Sequence, residues 1–152
     1  MKTLIIILVL FSTSLFAEDM IPLGKYLDQN KFEENEMFYV FSRCSAINYK
    51  MMNLSKNIPE LEERSKLLHD FFYQFSTMIR TKIIPSDSQD EHLRISALTI
   101  GGIIDSYTEV SNKHYLNTGT YFTDFMIEDV EICSGIYEKS KFSNISGAQM
   151  IA

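Results

Sequence analysis

The sequence predicts an all-α protein, an antiparallel four-helix bundle in up-down-up-down order behind a cleaved signal peptide. Apolar residues recur at alternating spacings of three and four in four long stretches. Turn-forming residues separate those stretches by only a few positions. No run alternates apolar and polar residues over a useful strand length, and no segment repeats another.

The leader comes first. Lys2 supplies an early positive charge, Leu4 to Phe11 is unbroken apolar sequence, and Ser12, Thr13 and Ser14 lead through Leu15 and Phe16 to Ala17 and the acidic pair Glu18-Asp19. That order marks residues 1–17 as a secretory signal peptide, with cleavage after Ala17. The rival reading is a retained anchor. It fails on length, because spanning a bilayer takes about 20 apolar residues, and no cysteine follows for lipid attachment. No later segment is long and apolar enough to span. The protein is therefore expected in the periplasm or outside the cell, and its wealth of Lys, Asn and Ile suggests an A/T-rich bacterial genome.

Residues 18–30 read as an extended lead-in, with Pro22 and Gly24 as breakers. A single domain is expected over 31–142. Its first helix spans about Phe32 to Leu54. Glu33, Glu34 and Glu36 suit its positive end, and Met37, Val40, Cys44, Ile47, Met51 and Leu54 form one apolar stripe. The second helix begins at Pro59, a residue suited to a first turn, and runs to about Lys82 on Leu61, Leu68, Phe72, Phe75 and Ile79. Pro85 and Asp87 then mark a loop.

The third helix starts at Ser88, where Ser88-Gln89-Asp90-Glu91 fits a capping box. Its stripe is Leu93, Ala97, Ile100, Ile104 and Tyr107. Gly101-Gly102 interrupts it at a cost of roughly 1 kcal/mol per glycine, which implies close packing of a neighbouring helix. Asn117 to Thr120 form a turn. The fourth helix ends near Phe142, with Phe122, Met126, Cys133 and Ile136 on one face. Residues 143–152 read as a flexible tail.

Cysteine count and compartment point to a disulfide. The mature chain holds only Cys44 and Cys133, and an oxidising compartment favours pairing. Cys44 lies 12 residues into the first helix and Cys133 lies 9 from the end of the fourth. In an antiparallel pair those heights differ by about 4.5 Å, so the bond is geometrically sound.

That register also places Asn48 and Asp129 one turn beyond the cysteines on facing stripes. They form a candidate buried polar pair, either a hydrogen bond that fixes helix register or the polar wall of a small-molecule pocket. Aromatic excess marks a second candidate. Phe38 and Phe41 on the first helix and Phe71 and Phe75 on the second belong to aromatic groups too wide for one core face, as an interaction face would be.

Other chemistry finds no footing in the sequence. Removing Lys2 leaves 13 basic against 20 acidic residues, a net charge of −7, which argues against nucleic acid and anionic membrane as partners. Paired Glu-x-x-His motifs for a di-metal bundle are missing. His69, His92 and His114 are scattered, as surface histidines are, so no metal or cofactor is expected. Nucleophile elbow, P-loop and dinucleotide fingerprint are absent too. Glu128, Asp129 and Glu131 would raise a thiol at Cys133 rather than activate it. No catalytic residue is assigned. The expected function is a non-enzymatic binding or interaction protein, with another protein or a second copy as partner. The alternative is a bundle with a core pocket near Asn48 and Asp129.

Overall fold

The computed structural model describes residues 20–31 and 33–142. The predicted leader with its cleavage point, the start at Phe32 and the tail 143–152 lie outside them. Among the described residues all regular structure is helical: α1 (Leu23–Gln29), α2 (Glu34–Leu54), α3 (Pro59–Ile83), α4 (Gln89–Thr118) and α5 (Asp124–Phe142).

The four long helices form close to where apolar periodicity and capping chemistry place them, except that α4 continues through Asn117 and Thr118, expected in the turn, and α5 begins only at Asp124, after Phe122. Glu34 and Glu36 occupy the first turn of α2. Pro59 opens α3, and Arg80 and Lys82 sit at its negative end. Ser88 caps α4 by accepting the Glu91 N–H at 3.2 Å. Only half of the predicted capping box forms, because the Glu91 carboxylate turns forward to hold Arg94 at 2.6 and 2.8 Å. Gly119, at φ 77°, ends α4 with its N–H on the Tyr115 carbonyl. A left-handed residue suits glycine there.

The lead-in differs from its expectation. Residues 23–29 are helical, and Pro22 opens the helix by accepting the Tyr26 N–H at 3.0 Å. Proline does so because a first turn needs no donor from it. At Gly24 a Cβ would meet the carboxylate end of the flexible, exposed Glu128 side chain and lie in ordinary contact with Ile132, so α1 lies close on α5 here.

α2 is the hub. It packs against α3, α4 and α5, while α3 also meets α4 and α1 rests on α5. Phe41 meets Phe72 and Phe75, Ser45 meets His69, and Asn48 shares a groove with Leu61 and Ser65, so α2 and α3 run antiparallel. The expected stripe on α2 gives way to a continuous buried run from Ser42 to Asn48. A helix with neighbours on every side buries its whole circumference, so its polar residues need partners inside the protein.

Leu23, Val40, Ile47, Phe72, Ile100 and Tyr107 belong to the buried core, as do Cys44 and Cys133. The two cysteines are bonded, with Cα atoms 5.4 Å apart. Among the described residues no helix is long and apolar enough to cross a membrane. The disulfide fits a location outside the reducing cytosol. The close packing expected at Gly101-Gly102 is not found: a Cβ at either position meets nothing within 4 Å.

Candidate functional site

The densest polar chemistry lies where α1, α2, α4 and α5 meet. Arg43, Tyr107 and Asp129 are each 0 % exposed. Arg43 Nη2 donates to Asp129 Oδ2 at 2.6 Å, and Nε donates to the same oxygen at 3.0 Å. Nε also reaches the Tyr107 hydroxyl at 3.0 Å, and that hydroxyl donates to Asp129 Oδ2. Asp129 Oδ1 accepts the Leu23 backbone N–H at 2.7 Å. The carboxylate thus satisfies one of the orphan amides at the start of α1 from 106 positions away.

Electrostatics favour the charged Arg43 and the protonated Tyr107. Burial alone would disfavour the Arg43 cation, but Tyr107, Asp129 and Tyr39 together hold the guanidinium above its ordinary value. Burial pushes the Tyr107 phenol well up and Asp129 adds to that, against the pull of Arg43. Every described partner of Asp129 is a protein donor, and the group has no open surface. This arrangement is suited to tying four helices together rather than to receiving a substrate.

The predicted Asn48–Asp129 pair does not form. Both residues are buried, at 1 % and 0 % exposure, but Asn48 Nδ2 donates to the Cys44 carbonyl at 2.8 Å. Asp129 takes Arg43 instead, because a buried carboxylate is better matched by a long guanidinium than by an amide. The signal was in the sequence: Arg43 interrupts the apolar stretch from Val40 to Ile47 and demands an acidic partner.

A second polar contact joins α2 to α3. His69 Nδ1 lies 2.8 Å from Ser45 Oγ and 3.0 Å from the Ser45 carbonyl, and Ser45 Oγ donates to the His69 carbonyl at 3.1 Å. Ser45 is fully buried, so this serine–histidine contact has no face from which to attack a substrate. His92 was expected in solvent and is 2 % exposed. It directly precedes Leu93, whose carbonyl accepts the Tyr73 hydroxyl of α3. Among the described residues no group of three or more His, Cys, Asp or Glu side chains is arranged to hold a metal ion.

Of the predicted interaction face, three members come together. Phe41 lies 5.9 Å from Phe75 between ring centroids, and Phe71 lies 4.5 Å from Phe75 and 4.9 Å from Tyr137. All three are half-buried. Phe38 is half-buried outside that ring cluster.

Two grooves flank the cluster. One, of about 400 Å³, lies between α1, α2 and α5 and is walled by Met37, Val40, Phe41, Ile132 and Ile136. The other, of about 390 Å³, opens between α2, α3 and α5 beside Asn48.

Fold and site together define an all-α, disulfide-tied protein built around a buried ion pair. No protein-family model, curated protein or solved structure matches the chain.

Proposed function

We propose that this chain is an exported, non-enzymatic binding protein of the bacterial periplasm, released by cleavage after Ala17. In this reading α2 to α5 form an up-down-up-down bundle and α1 is a strap across α5. The groove between α1, α2 and α5 receives an amphipathic, basic helix of a partner protein.

One observation carries the reading: the groove wall is two rails of apolar side chains at helical spacing. Met37, Val40 and Phe41 form one, and Ile132 and Ile136 the other. Gly135 lowers the second rail, so a partner backbone can come close. Ridges of a third helix fit between such rails. The basic character follows from charge. The charged residue in the groove lining, Lys139, already has a partner within the protein, exposed Glu33 and Glu34 stand within a turn of Met37, and the chain is strongly acidic, which steers a basic partner onto it.

The test is a photo-crosslinker at Gly135 of the full chain in its own host envelope, with a Gly102 probe as control. A Cβ at either position meets nothing within 4 Å, so both positions have room for a side chain to leave the helix. A crosslink from 135 alone, to a basic amphipathic helix, and its loss in Gly135→Leu, support the reading. A crosslink to lipid or to a second copy, or one that survives Gly135→Leu, overturns it.

A further inference from the structure

The groove beside Asn48 differs in chemistry from the first. Its polar floor is Asn48, Ser65 and Ser134. Asn48 and Ser65 are 1 % and 3 % exposed. Asn48 directs its amide nitrogen to the Cys44 carbonyl, and the carboxamide oxygen forms no hydrogen bond among the described residues. Neither serine hydroxyl forms one there either. The apolar wall comes from Met51, Leu61, Leu68 and Val130. Arg64 and Glu131, both exposed, also line the groove. Neither has an ion-pair partner among the described residues, so they line one opening without neutralising each other.

We propose that this groove is a binding site for a small zwitterion with an apolar body, the chemistry of an apolar amino acid or a short peptide with free ends. The opposite charges make the selection. An anion alone satisfies Arg64 but faces Glu131, and a cation alone does the reverse. A ligand carrying both charges pairs with both, carboxylate to guanidinium and ammonium to carboxylate. The apolar wall takes the side chain, and the unpaired hydroxyls and carboxamide oxygen meet the backbone groups. The volume of about 390 Å³ falls within the range of ordinary ligand sites, roughly 300–1,000 Å³.

The fold prepares this site in advance. Asn48 lies one turn beyond Cys44, and Ser134 directly follows Cys133, so the disulfide fixes the α2 wall against the α5 wall. Preorganised walls lose little entropy on binding. The site is separate from the apolar groove of the proposed partner interaction.

Calorimetric titration of the full disulfide-bonded chain tests the inference, with leucine and leucyl-leucine as probes. Saturable binding of at least one zwitterion is expected, and the tighter of the two distinguishes free amino acid from peptide. N-acetyl-leucine and leucinamide each lack one charge and should bind at least about tenfold more weakly, the scale of one charged hydrogen bond. Arg64→Gln and Glu131→Gln change exposed, unpaired residues and keep the fold, so each should weaken the zwitterion by a similar factor. Gly135→Leu fills the other groove and should leave this titration unchanged. Absence of heat with both zwitterions, equal affinity for the capped ligands, or wild-type affinity in both charge variants would overturn the inference.

Discussion

Arg43 and Asp129, 86 positions apart, form an ion pair at 2.6 Å with both side chains wholly buried. Burying two charges costs several kcal/mol each, on the order of what good geometry and extra hydrogen bonds return. The pair is complete: Tyr107 and the Leu23 amide take up the remaining acceptor capacity of the carboxylate.

Removing one partner should therefore cost more than removing both. Arg43→Met leaves a carboxylate buried without its cation and should destabilise the protein by about 3–5 kcal/mol. Arg43→Met combined with Asp129→Leu should recover a large part of that loss. Urea midpoints of the three proteins check it, and a double variant no better than the single one would contradict the account.

Tyr107 predicts an alkaline limit. Its pKa is raised well above the ordinary value by burial first, with Asp129 adding to it. The fold thus favours the protonated phenol, and this stability is fully present below the unfolded tyrosine value of about 10. It is lost as pH rises from there through the folded pKa. Denaturant midpoints of wild type and Tyr107→Phe, compared from about pH 8 to about pH 11.5, should converge only at the alkaline end. A constant difference across that range would contradict the assignment.

The Cys44–Cys133 bond closes a separation of 89 residues. Reduction, or Cys44→Ala with Cys133→Ala, should cost on the order of 4 kcal/mol if chain entropy dominates. It should also loosen the walls of the Asn48 groove. Thermal unfolding with and without reductant measures the first effect, and zwitterion titration of the reduced protein measures the second.

Two glycines should respond in opposite ways. Gly102 is exposed on α4 and a Cβ there meets nothing, so Gly102→Ala should stabilise by up to about 1 kcal/mol. Gly119 holds φ 77°, so Gly119→Ala should destabilise by about 1 kcal/mol. Melting temperatures of the two variants check the sign of each.

The sequence by itself determined the helical class, the placement of the four long helices to within a few residues and the cysteine pairing. Those follow from local rules: a 3.6-residue period, Ser88 at a cap, Pro59 at a first turn, and a two-cysteine count in helices of matching register. What only the tertiary structure decided is which groups meet inside. The seven-residue α1 is too short to be stable alone, and the carboxylate that caps its Leu23 amide arrives from α5. Asp129 chose Arg43 over Asn48, and His92 is buried, because burial and charge pairing depend on neighbours distant in sequence. Local patterning gives each helix an apolar face. It does not say that α2 will be enclosed on every side, and that enclosure obliges Arg43 to find its partner indoors.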